Sequence, residues 1–97
     1  MFLSDKQKNI ICDYFYNKPV IKAFLFGSYV RGEANTLSDI DILIEIDYSY
    51  PIGFELIDFK YDLQNLLSCK VDLLTTRSLT KILEPVIDSE KKLIYAR

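Results

Sequence analysis

Gly27-Ser28-Tyr29-Val30-Arg31-Gly32-Glu33-Ala34, a polar step from Asn35 to Ser38, then Asp39-Ile40-Asp41-Ile42-Leu43-Ile44-Glu45-Ile46: this stretch decides how the chain is read. Its second half alternates with period two. Ile40, Ile42, Ile44 and Ile46 take one face, and Asp39, Asp41, Leu43 and Glu45 the other, as a strand with one buried face requires. Upstream, Val20 to Phe26 is β-branched and aromatic and reads as a second strand that stops at Gly27-Ser28. Ser28 is expected to N-cap a short helix that Gly32 closes.

Working outward, Ser4 and Gln7 have the form of a capping box. Ile10, Ile11, Tyr14 and Phe15 follow at helical spacing, which predicts a helix from about Asp5 to Asn17 that Lys18-Pro19 ends. Beyond the central strand, Tyr48 to Pro51 reads as a turn. A helix is expected from about Ile52 to Leu67 on the stripe Leu56, Phe59, Leu63 and Leu66. Val71 to Thr75 reads as a short strand with Asp72 and Leu74 on one face. Ser78 is expected to open a last helix that Pro85 bends or restarts, and Lys92 to Ala96 could add an edge strand. The order α-β-α-β-α-β-α-β predicts an α/β (α+β) fold, a small mixed sheet backed by helices, in one domain spanning residues 1–97.

Composition narrows the chemistry. The chain has 97 residues and no histidine, which excludes Ser-His and Cys-His nucleophile pairs and any imidazole-dependent zinc site. Two cysteines cannot build a four-thiolate site, and Cys12 and Cys69 are expected to be reduced thiols in a cytoplasmic protein. A net charge of −2 gives no nonspecific grip on nucleic acid. The N-terminus turns polar too soon for a signal peptide, and no apolar run approaches membrane-spanning length. Carboxylates, hydroxyls, lysine and arginine remain.

Among these, Asp39 and Asp41 stand at i and i+2 of one strand, so their carboxylates share a face with Cα atoms roughly 6.5 to 7 Å apart. Like charges so close resist ionisation unless a cation joins them. Oxygen donors of this kind suit magnesium, which takes one or two carboxylates and completes its shell with water and substrate phosphate. Asp72 could supply a third carboxylate if its strand is a neighbour. Gly27 permits close backbone approach to a phosphate, and Ser28 adds a hydroxyl. Taken singly, each feature also has a plain structural reading: a strand start facing solvent, or a capped turn. Together, Gly27-Ser28, ten residues and Asp39-Ile40-Asp41 form a combination expected by chance in roughly one chain of this length in a thousand. Tyr48 and Tyr50 flank the metal strand and could stack on adenine, but packing on the domain is the simpler expectation.

The segment from Gly27 through Asp41 resembles the GS-x10-DxD signature of the minimal nucleotidyltransferases, within the DNA polymerase β-like superfamily. The resemblance extends through Ile52-Gly53-Phe54 and Lys70-Val71-Asp72-Leu73-Leu74-Thr75 and covers about residues 20 to 96. It implies the palm-like nucleotidyltransferase fold. It implies that Asp39, Asp41 and Asp72 are catalytic and hold Mg2+, as a pair of ions, and that Gly27 and Ser28 hold the triphosphate of ATP. Arg31 would touch phosphate or brace the loop against a carboxylate.

Many small members of that family are antitoxins of HEPN/MNT toxin–antitoxin pairs, and some transfer AMP from ATP to a tyrosine of the HEPN ribonuclease toxin. The expected function is therefore that of a protein adenylyltransferase, with a HEPN-type toxin as partner. A partner, or a second copy of the chain in a homo- or hetero-oligomer, would present the acceptor hydroxyl that so short a chain has little room to hold. The rival readings are a non-catalytic antitoxin that covers its toxin and a nucleotidyltransferase acting on a small molecule such as an antibiotic.

Overall fold

The computed structural model describes residues 1–97. Its sheet is built from β1 (Val20–Phe26), β2 (Ile40–Ile46), β3 (Val71–Thr75) and β4 (Lys92–Ala96), in the order β3-β2-β1-β4. β1 pairs antiparallel with β2 and with β4, whereas β2 and β3 run parallel. A parallel neighbour needs a crossover connection, and α3 (Glu55–Leu67) supplies it.

The isoleucines of β2 lie on the side that α3 and α1 (Asp5–Phe15) cover. There Ile11, Phe15, Phe59 and Leu63 join Ile40, Ile42 and Ile44 in the main core. The opposite face is not left to solvent throughout. Leu43, expected among polar neighbours, is fully buried with Phe26 and Ile87 beneath α4 (Leu83–Glu90). Both faces of the middle of β2 are therefore apolar, and polar side chains remain only towards its ends.

Helix boundaries differ from expectation for local reasons. α1 ends at Phe15, two residues before Asn17, although its Ser4–Gln7 capping box forms as predicted. α3 begins at Glu55 rather than Ile52, because the Glu55 carboxylate turns back to accept the Gly53 N–H at 2.6 Å. Ser78 opens no helix. It ends a 3-10 turn over Thr76–Ser78, where its hydroxyl accepts the Thr75 N–H and donates to the Thr75 carbonyl. α4 starts at Leu83, which places Pro85 in the first turn, where no intrahelical N–H is required and none is lost. The edge strand at Lys92–Ala96 forms as expected.

Candidate active site

The four-residue helix α2 (Ser28–Arg31) follows β1 directly, and Gly27, not Ser28, occupies its N-cap position. Ser28 is the first helical residue and makes no capping bond, so the simple-cap reading of its hydroxyl is set aside. Gly27 sits at φ 78° and ψ −152°, a conformation essentially confined to glycine. A Cβ there would collide with Asp41 Oδ2. The glycine thus lets the turn press against the central carboxylate, a requirement separate from any phosphate. Gly32 closes the helix in the left-handed conformation, as expected.

β2 carries Asp41, and Asp39 stands just before its first residue. The parallel register sets Asp41 opposite Asp72, so the two carboxylates share one face of the sheet. β2 is therefore the neighbour that Asp72 needs in order to join the pair. On the other side, Asp41 lies opposite Phe26, next to the Gly27 turn. Asp39 and Asp72 are exposed, and Asp41 is half-buried between them.

Burial pushes the Asp41 carboxyl up to about 6, with Asp72 and then Asp39 adding like-charge repulsion that Arg31 only partly offsets. A carboxylate held among other carboxylates is short of positive charge. The donors are all oxygen, the kind that hard divalent cations prefer. No group of three or more carboxylates or thiols is arranged to hold a metal ion by protein atoms alone. The set instead fits a cation that completes its shell with water and phosphate oxygens, because magnesium is seldom held by protein ligands alone.

Arg31 does not stand free beside Asp41. Its Nη1 donates to Glu90 Oε2 at 2.8 Å and its Nε to Glu33 Oε2 at 3.1 Å. The other Glu90 oxygen accepts the Gly27 N–H at 2.8 Å, and that contact, with Arg31, holds the Glu90 carboxyl below its ordinary range. Sequence reasoning did not single out Glu90. Its partners lie 59 and 63 residues away, and no local pattern marks one acidic residue in Asp88-Ser89-Glu90 above another.

Tyr48 and Tyr50 follow the far end of β2, roughly 20 Å from Asp41 by strand rise. The Arg77 guanidinium covers the Tyr48 ring at 3.6 Å, so adenine stacking at the carboxylates is not their role. A concavity of about 980 Å³ lies at that same far end. Its walls include Tyr14, Tyr50, Asp58 and Arg97 but none of the three aspartates. Cys12 and Cys69 carry free thiols.

A strand, a glycine turn and a parallel neighbour together bring three aspartates to one end of the sheet. The nucleotidyltransferase domain family matches residues 4–96, and the chain belongs to it. Among individual relatives, the candidate protein adenylyltransferase MJ1379 of Methanocaldococcus jannaschii is 41% identical over 75 residues, 76% of this chain and 72% of that protein. Protein adenylyltransferase MntA of Thermococcus cleftensis is 44% identical over 55 residues, 57% of this chain and 54% of its own length. In fold, a chain of a toxin–antitoxin crystal structure with AMP-PNP superposes with a TM-score of 0.80 at 24% identity, covering 93% of this chain and 73% of that one.

Proposed function

We propose that this nucleotidyltransferase is a magnesium-dependent protein adenylyltransferase that moves AMP from ATP to a hydroxyl, a tyrosine of a HEPN-type toxin partner, and releases pyrophosphate. The observation that carries this reading is the Asp41–Asp72 register beside Asp39, with the Gly27 turn pressed against Asp41. Support for the acceptor comes from relatives named as protein adenylyltransferases and from the shared fold of a toxin–antitoxin complex. The free thiols are compatible with the reducing cytoplasm in which we place it.

In this reading Asp39, Asp41 and Asp72 would hold Mg2+ together with water and phosphate oxygens, and the ion would supply charge neutralisation for the transfer. Ser28 and the Gly27 turn seat the triphosphate. The Gly27 amide is itself engaged by Glu90, so Gly27 serves through its missing side chain rather than as a phosphate donor. The acceptor hydroxyl oxygen bonds to the α-phosphorus, the bond to the β-phosphate oxygen breaks, and pyrophosphate leaves with that electron pair. Asp72, exposed on an edge strand opposite Asp41, is the group assigned to take the hydroxyl proton. A tyrosine hydroxyl with an ordinary pKa near 10 needs such a base at neutral pH.

The test combines the chain, α-labelled ATP, magnesium and the product of the adjacent reading frame. Label is expected on a partner tyrosine, and Asp39→Asn or Asp41→Asn should abolish it. Neutralisation of the toxin that survives both substitutions without any transfer would establish masking instead. Label on a small hydroxylated metabolite in the absence of a partner would establish the small-molecule activity.

A further inference from the structure

The Gly27–Gly32 turn has little to hold it by itself. α2 is a single turn of four residues, and a helix that short is not stable alone. Its entry residue adopts a glycine-only conformation. Both ends of this turn are nevertheless tied to one side chain. Glu90 Oε1 accepts the Gly27 N–H at the entry, and Glu90 Oε2 accepts the Arg31 guanidinium at the exit, each at 2.8 Å.

Glu90 occupies a costly position for a carboxylate. It is the final residue of α4, whose last turn contains no basic residue, and the helix dipole disfavours negative charge there. It also lies close enough to Asp41 to add to that group's difficulty in ionising. Only the two contacts to the turn offset these costs. Glu33 shares Arg31 from the solvent side, but it makes no contact with Gly27.

We propose that Glu90 is a positioning residue: through Gly27 and Arg31 it clamps the α2 turn to the end of α4 and so sets the place where a nucleotide triphosphate is received. The triphosphate in this statement rests on the function proposed above; the clamp itself does not. Glu90 acts through the turn and touches no reacting atom. Arg31 consequently serves the site as the far anchor of the clamp rather than as a direct phosphate ligand.

Two measurements on the full chain separate the clamp from the nucleotide reading. The first is hydrogen exchange without nucleotide. In Glu90→Ala the amides of residues 27–32 should exchange about tenfold faster or more, since charge-assisted bonds are lost, while those of β2 and α3 stay unchanged. Glu90→Gln keeps an oxygen for the Gly27 N–H and should fall between the two, a partial rescue that also covers failure of the alanine variant to fold.

The second is affinity for magnesium with a non-hydrolysable ATP analogue. It should weaken about tenfold in Glu90→Ala, and in the transfer assay KM for ATP should rise with kcat changed by less than about twofold. Unchanged exchange over residues 27–32 in both variants overturns the clamp. Tighter analogue binding in Glu90→Ala also overturns it, since the carboxylate would then be competing with phosphate for those donors. If the unaltered chain binds no analogue while the exchange result holds, the clamp stands and the proposed function falls.

Discussion

The two ends of β2 and its following turn carry aspartates in opposite electrostatic states. At the entry, Asp41 faces Asp72 and Asp39, and burial with like charge pushes it up to about 6. Past the exit, Asp47 accepts from Ser49 and from Arg97 Nη1, at 2.6 Å, and is held down to about 2. One aspartate has been given a cation and the other has been surrounded by anions. A fold that pairs Asp47 directly with a cation and leaves Asp41, six residues away, with only a partial offset from Arg31 keeps the entry end short of positive charge. That contrast, more than any single motif residue, supports the proposal that the chemistry takes place at the entry end.

Substitutions should act on the two ends of β2 in different ways. The largest effect is expected from Asp41→Asn in the transfer assay, a loss of more than about 100-fold, since a direct ligand should matter at least as much as the supporting residues whose loss costs that much. Next comes Gly27→Ala. A Cβ would meet Asp41 Oδ2 and force a side chain into a left-handed backbone, and denaturant unfolding should show a loss of about 2 kcal/mol.

A smaller effect runs the other way. In chelator-treated protein the folded state holds Asp41's proton more tightly than the unfolded chain does. Stability should therefore fall as pH rises from about 4 through about 6. Asp41→Asn should flatten that fall and gain about 1 kcal/mol at pH 8, a figure already reduced for solvent screening of a half-exposed group. Asp47 should behave oppositely and least. Its contribution is present above about pH 4 and lost as pH falls towards 2. Asp47→Asn should remove only that acid-side, salt-sensitive component, as read by thermal unfolding at two ionic strengths.

The entry end was legible in the sequence because its signals are local. Period-two isoleucines, a glycine at a strand end and aspartates two residues apart each announce themselves within a few positions. The Val71–Thr75 strand was equally clear, and its parallel register with β2 turned a conditional third carboxylate into a neighbour of Asp41. What escaped depends on distant partners. Leu43 alternates with Asp41 and Glu45, and nothing in that pattern reveals α4, which buries it through Ile87 and lies some forty residues further on. Ser78 looked like a helix start because a serine's capping preference does not reveal that its hydroxyl will close a turn on Thr75. Glu90 gave no signal, since its meaning lies wholly in Gly27 and Arg31.

In the proposed function Asp41 stays short of positive charge until a cation and nucleotide arrive. Carboxyl-carbon NMR titration of Asp41, first in chelator and then with magnesium and a non-hydrolysable ATP analogue, tests it directly. The expected midpoint is about 6 in chelator, moving below the ordinary aspartate value of 3.8 when the analogue and magnesium are added. A midpoint near 3.8 in chelator that does not respond to either addition would contradict it.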